Sequence, residues 1–347
     1  MRLSRISRSC FAWTFANQRR NRHITTTARF MMASDKLIST PLIDVDCNLL
    51  HRDMKSLQTS KDIGNEWMIL EEDAIQSANI CAMLSPSSTI DEAKRGLNLL
   101  KTVPPPLPVR TTVGIHPYHV NDEEMKEQTL QSCEEQIKAL VGSHTDVCAA
   151  IGECGLDASE GFPPIQDQIP WFEMQVKIAE ELQLPLFVHE RLAFTEAIEI
   201  LKDVNVPVII HCFTGTKEQC VEYIQRGFYI SISGYILRES NENYEEVASC
   251  LKDGVIPLEK LMIETDAPYM GFAGCRDLYI QHNTEYVNSL NSKKRKRLQQ
   301  SIYPNVPSSL LAVLDQVVKF LQESNSAVTR DQVAKQTTAN ARAFFGF

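Results

Sequence analysis

Short apolar runs alternate along this chain with longer segments whose apolar residues recur every three or four positions. The short runs are LIDVDCN (42–48), ICAMLS (80–85), VRTTVGIHP (109–117), VCAAIGECGLD (147–157), PLFVHE (185–190), VPVIIHCF (206–213), FYISISGY (228–235) and KLMIETDAP (260–268). Continuous apolar runs of this length suit strands covered on both faces. The longer segments predict helices near 71–77, over 89–101, 122–141, 166–182 and 193–202, from strand six to Arg226, and over 244–252. Residues 271–307 form a long polar stretch, and two final helices are expected at 308–323 and 329–344. Eight strands, each followed by a helical stretch, predict an α/β protein with a single (β/α)8 barrel of the TIM type over residues 40–347. The rival is an open doubly wound sheet, but no G-x-G-x-x-G follows the first strand.

The runs share a second pattern, which is that they end in polar residues. Strand one ends in Asp46 and Asn48, strand three in His116, and strand four in Glu153 and Asp157. Strand five ends in His189 and Glu190, strand six in His211, and strand eight in Glu264 and Asp266. In a (β/α)8 barrel these ends converge on one face. Crowded carboxylates repel one another unless positive charge sits among them. Of the basic residues, only Arg191 is near these positions. Imidazole and carboxylate together suit a divalent cation, and such a cation makes hydrolysis the expected reaction class. Cys154 and Cys212 neighbour these groups in sequence and are expected to point away, by strand alternation. There is no G-x-S-x-G elbow and no phosphate-cradling glycine loop.

Charge divides the chain. Residues 1–34 hold seven arginines, several Ser and Thr, and no acid before Asp35. This composition predicts a mitochondrial transit peptide; a disordered basic tail on a cytoplasmic or nuclear protein is the alternative. Setting those seven charges aside takes the net charge from −9 to −16. A body this acidic argues against sequence-independent coating of duplex DNA, but leaves room for a small pocket that handles a nucleic-acid end. Within it, SKKRKRL (292–298) is a dense basic run, either a solvated surface or a contact for phosphates. The ten cysteines are scattered without a C-x-x-C pair and read as reduced packing residues. No run approaches the ~20 apolar residues of a membrane span, so no transmembrane helix is expected.

Six ordered stretches, GIHPYHV, AIGECGLD, PIQDQIPWFEMQVKIAEEL, LPLFVHER, VIIHCFTGT and LMIETDAPYM, together resemble the TatD-type metal-dependent deoxyribonucleases. The ending YPNVPSSL…TTANARAFFGF extends the resemblance, which covers roughly residues 42–347. It implies an amidohydrolase-type barrel that hydrolyses phosphodiesters, typically as a 3′–5′ exonuclease on DNA, with single strands or 3′ ends as partner and RNA as a further substrate. Carried over by position, Glu153 matches the metal-bridging glutamate, and His189 and His211 match the histidines of one metal. Asp266 matches a metal ligand that accepts the proton of water, and His116 a catalytic histidine beside the scissile phosphate. Glu190 and Arg191, which follow His189, are expected at the substrate.

Two departures stand out. Many members carry H-x-H after the first strand, where this chain has Asp46 and Asn48. These are retained as candidate metal ligands, and their oxygen donors favour Mg²⁺, or Mn²⁺, over Zn²⁺ for the one or two ions expected. Tyr118 stands where another histidine is frequent, and His119 is displaced by one residue. Two other readings remain. One is a metal-dependent amide or ester hydrolase, such as a D-aminoacyl-tRNA deacylase, disfavoured because Glu153 takes the place a carboxylated lysine would fill. The other is a non-catalytic binding protein with a degraded first metal site.

Overall fold

The apolar runs form eight strands: β1 (Leu42–Asp44), β2 (Ile80–Ser85), β3 (Val109–Val113), β4 (Cys148–Asp157), β5 (Leu186–Arg191), β6 (Val208–His211), β7 (Tyr229–Ile232) and β8 (Leu261–Ile263). The structure, a computed structural model, describes residues 40–55, 57, 67–70 and 73–347. All of these fall in one unit, Leu37–Phe347. The leader at 1–34 lies outside the described residues, as do Glu71 and Glu72 at the start of the expected second helix. Among the described residues, no helix is long and apolar enough to cross a membrane.

The strands pair in chain order, all parallel. Beyond the ends of β1 and β8 the backbone closes the ring. Val45 N donates to Ile263 O (3.4 Å), Asp266 N to Asp46 O (2.8 Å) and Asn48 N to Ala267 O (2.7 Å). The result is a (β/α)8 barrel.

Alternation sorts the side chains into two cores. Ile43, Leu84, Phe187, Ile209 and Met262 form the inner core, closed by Phe344 and Phe345 from the C-terminal helix Arg330–Phe345. Their neighbours Leu42, Leu186, Val188, Val208, Ile210, Leu261 and Ile263 pack in the outer layer with the helices. His189 therefore shares the inner face with Phe187, and His211 shares it with Ile209. Capping fixes several helix starts. The Thr89 side chain accepts from Glu92 N, and Thr216 and Thr329 form capping boxes with Gln219 and Gln332.

Two segments differ from expectation. The helix expected over 122–141 is a 3-10 turn at Glu123–Glu127 followed by an α-helix at Leu130–Ser143. Gln128 is extended, and the Thr129 side chain caps the second piece by accepting from Ser132 N. The polar stretch 271–307 carries three helices, Asp277–His282, Thr284–Ser289 and Ser292–Gln300. They have little apolar periodicity because tertiary anchors hold them. Arg276, only 2 % exposed, donates to the carbonyls of Leu298 (2.8 Å), Ser301 and Pro304.

The seam between β1 and β8 rests on one buried acid. Asp44 accepts from Thr265 N (2.9 Å), Thr265 Oγ1 (2.6 Å) and Asp46 N (3.3 Å). Burial pushes its carboxyl up to about 8 against these hydrogen bonds. Asp44→Ala leaves two buried backbone N–H groups and a hydroxyl without this acceptor, so it is expected to destabilise the barrel by about 2–4 kcal/mol. Urea unfolding measures the loss, and a change below about 0.5 kcal/mol contradicts this account of the seam.

Candidate metal centre

Strand β4 supplies the central ligand through a local irregularity. Between Ile151 and Cys154, β4 advances three residues while β5 advances two, from Leu186 to Val188. The extra residue is a bulge, a device that re-aims a side chain. Gly152 and Gly155 flank Glu153 with φ of 148° and 138°. A Cβ at Gly155 would stand 1.9 Å from His189 O, so only glycine allows β4 this close to β5.

So aimed, a single oxygen of Glu153, Oε1, meets three imidazoles from three different strand ends. It lies 3.2 Å from His116 Nε2, 3.2 Å from His189 Nδ1 and 2.9 Å from His211 Nε2. The outer nitrogens of these rings are also held. His116 Nδ1 accepts from Tyr118 N (3.1 Å), which points Nε2 at Glu153. His189 Nε2 meets Asp157 Oδ2 at 2.8 Å. His211 Nδ1 lies 3.0 Å from Asp46 Oδ2 and 3.6 Å from Glu264 Oε1. Imidazoles backed by carboxylates in this way are oriented for metal ligation.

Two ligand groups result, His116–Glu153–His189 and Asp46–His211–Glu264, each with its ligand atoms within 4.8 Å of one another. The second group carries the plainer signature of a cation. Asp46 Oδ2, His211 Nδ1 and Glu264 Oε1 are buried, and among the described residues none has a hydrogen-bond partner, although His211 Nδ1 and Asp46 Oδ2 face each other at 3.0 Å as an ion-pair contact. Buried polar atoms are costly without partners, and three together on facing side chains fit a divalent cation. Asp266 lies outside both groups but is tied to the second. Asn48 Nδ2 donates to Asp266 Oδ1 (3.3 Å) and to Asp46 Oδ1 (3.4 Å), so the Asn48 amide clamps two carboxylates together.

The electrostatics agree with a missing positive charge. Burial, followed by the charge of Asp266, pushes Asp46 well above the usual carboxylate range. Burial raises Asp266 to about 8; His211 opposes the rise, and Glu264 and Glu153 add to it. Glu153 goes the other way. Burial disfavours its charge, but His116 and His211 outweigh it and hold the carboxyl well below the ordinary range. Burial likewise disfavours charged His189, yet hydrogen bonds to Asp157 and Glu153 raise it to about 9.

Glu190 is not brought to this pocket. It follows His189 and so points outward, where Oε2 accepts from Tyr223 OH (2.9 Å) and Oε1 from Ala193 N (2.9 Å). Arg191 ends β5, with Tyr235 and, through Tyr235, Arg238 in its electrostatic neighbourhood. Cys154 packs in the outer core, whereas Cys212 Sγ turns to Ser233 Oγ (3.2 Å). Glu264 and Asp157 stand at strand ends, and their polarity after an apolar run marked them. His211 and His189 were marked in the same way, but that they would be the partners of Glu264 and Asp157 in space had no local signal. Ser231, which donates to Glu264 Oε2 (2.6 Å), had none either.

With Asp266 raised to about 8 and His189 to about 9, cation binding here is expected to displace protons near neutral pH. Cation binding is expected to release about one proton or more, and apparent affinity should rise with pH up to about 9. Titration calorimetry of Mg²⁺ or Mn²⁺ in buffers of different ionisation enthalpy measures this. Binding without proton release contradicts the arrangement.

Residues 43–346 match the family model described as TatD related DNase. The chain is 36 % identical over 197 residues to the 3′-5′ ssDNA/RNA exonuclease TatD of Salmonella typhimurium, covering 56 % of this chain and 70 % of that protein. It is 34 % identical over 241 residues to the Citrobacter rodentium protein of the same name, covering 68 % and 76 %. Among solved structures, a TatD family hydrolase from Entamoeba histolytica superposes with a TM-score of 0.68 at 19 % identity, covering 89 % of this chain and 99 % of that one. A TatD homologue from Escherichia coli K12 gives 0.66 at 21 %, covering 88 % and 98 %. These two superpositions show the same barrel fold. The match over nearly all of the barrel, on a chain whose strand ends gather these histidines and carboxylates, makes this protein a member of the TatD-related DNase family.

Proposed function

We propose that the barrel is a metal-dependent nuclease that hydrolyses phosphodiester bonds at the ends of single-stranded nucleic acid, releasing nucleotides in the 3′-to-5′ direction. The observation that carries this reading is the one Glu153 oxygen faced by three imidazoles, beside three buried ligand atoms that make no hydrogen bond among the described residues. Family membership and the exonuclease relatives support it, and do not favour the amide-hydrolase or scaffold readings.

Glu153, His189, His211, Asp46 and Glu264 would hold one or two divalent cations, with Asn48 keeping Asp46 and Asp266 in place. A bound cation supplies Lewis acidity at the phosphoryl oxygen and lowers the pKa of nearby water. Asp266 accepts the proton of the attacking water as its oxygen bonds to phosphorus and the bond to the leaving 3′ oxygen breaks. His116 Nε2 steadies the charge that develops on the phosphoryl group. Arg191, which ends β5 two residues after His189, meets the flanking phosphate. Carboxylate oxygens at Asp46 and Glu264 favour Mg²⁺, with Mn²⁺ as substitute, over Zn²⁺.

The test uses end-labelled single-stranded DNA, duplex DNA and RNA, with chelated enzyme and Mg²⁺, Mn²⁺ or Zn²⁺ restored. A ladder shortening from the 3′ end is expected with Mg²⁺ or Mn²⁺, and none with Glu153→Ala. Asp266→Asn should keep the fold and lower kcat by about 10²–10⁴-fold. Cleavage only with stoichiometric zinc overturns the metal preference, and shortening from the 5′ end overturns the polarity. No metal-dependent cleavage of any of the three substrates overturns the nuclease.

The arginine-rich, acid-free residues 1–34 support import into mitochondria. A fluorescent reporter fused behind them is expected in that organelle, and a diffuse cytoplasmic signal refutes the assignment.

A further inference from the structure

The basic run left unassigned by the sequence lies on the helix Ser292–Gln300. Lys293, Lys294, Lys296 and Arg297 are exposed, and among the described residues none forms an ion pair with a carboxylate. Elsewhere in this acidic body the lysines are commonly paired: Lys94 with Asp91, Lys126 with Glu123, Lys138 with Glu134, Lys202 with Glu199 and Lys217 with Asp253. The helix also works against its own electrostatics. Like charges sit three and four residues apart, and the first turn carries cations and no acid, opposing the helix dipole.

What maintains it is anchorage. Arg295 turns inward and donates to the carbonyls of Val287 (3.2 Å), Asn288 (2.5 Å) and Leu290 (3.1 Å). The buried guanidinium of Arg276 clasps the far end at Leu298 and Ser301. The next residues bind the rim of the metal centre directly. Asn305 N donates to Pro268 O (2.8 Å), and Asn305 Nδ2 to Thr265 O (2.9 Å). Gly271 passes so close to Ile302 O that a Cβ there would stand 1.8 Å from it. The backbone that carries Asp266 thus also carries the basic helix. Tyr269, 45 % exposed and three residues after Asp266, adds an aromatic ring at that rim.

We propose that Lys293, Lys294, Lys296 and Arg297 bind the phosphate backbone of the single strand whose end enters the metal centre. This rests on the nuclease reading. A polyanion supplies the counter-charge that the four side chains lack. The strongly acidic remainder of the body repels a duplex laid across it, which leaves a single strand led in along this helix as the occupant.

The test compares the full chain with the variant carrying Lys293→Gln, Lys294→Gln, Lys296→Gln and Arg297→Gln. Binding of a fluorescein-labelled oligothymidylate of about 20 nucleotides is followed by anisotropy in EDTA over a range of salt. Cleavage of the same oligomer and of the dinucleotide dTpdT is then measured with Mg²⁺. The variant is expected to bind about tenfold more weakly or worse, with a log–log salt slope shallower by up to about 3. KM for the oligomer should rise with kcat kept, dTpdT turnover should be unchanged, and a variant with the three lysines changed to Arg should retain wild-type affinity. Unchanged affinity and salt slope overturn the proposal, even if the wild type cleaves both substrates. If the wild type cleaves neither, the nuclease reading fails, while the anisotropy arm still decides whether the helix binds the strand.

Discussion

One carboxylate oxygen facing three imidazoles organises this molecule. Glu153 Oε1 draws His116, His189 and His211 from the ends of three strands to within about hydrogen-bond reach. Such a contact demands that β3, β4, β5 and β6 keep their register, since a one-residue slip would turn each side chain to the other face. It also demands the bulge at Gly152–Glu153, without which strand alternation alone would not aim Glu153 as it does. The glycines on either side follow from the close approach of β4 to β5.

Around this contact, charge is concentrated on one side of the pocket. Asp46, Glu264 and Asp266 come from β1 and β8, the two strands whose pairing is completed only beyond their ends. Asp44 and Thr265 hold that seam, so the element that closes the barrel also crowds the acids. Burial, with the neighbouring carboxylates adding to it, raises Asp46 and Asp266, and three buried ligand atoms there make no hydrogen bond among the described residues. An arrangement of this kind is costly as a bare protein and favourable around a cation, which is why the physical chemistry of the site and the family assignment agree.

The replacement of H-x-H by Asp46 and Asn48 acquires a structural meaning here. Asp46 faces the outer nitrogen of His211, and Asn48 links two carboxylates through its amide. The oxygen-rich side of the pocket is thus β1–β8, and the imidazole-rich side is β3–β6. Along the chain, Arg191 ends β5, Arg238 follows β7, and the basic helix comes after β8.

Strand identity, barrel class and the gathering of polar residues at strand ends were legible in the sequence, because buried parallel strands are short apolar runs and the fold places their ends on one face. His116, Glu153, His189, His211, Asp46, Asn48 and Asp266 could be proposed from that logic and from the family resemblance. Their pairing could not, because which imidazole meets which oxygen depends on register, a bulge and ring orientation. Glu190 shows the limit most clearly: it adjoins His189 in sequence, yet alternation turns it away to Tyr223. The polar stretch 271–307 shows it again. Its helices are held by Arg276, Arg295 and Asn305 through backbone carbonyls, contacts that leave no period in the sequence. The chain's pattern determined which residues could be buried and where the acids and histidines would collect. Tertiary structure alone decided which atoms face one another, because those contacts join side chains and carbonyls that are distant along the chain.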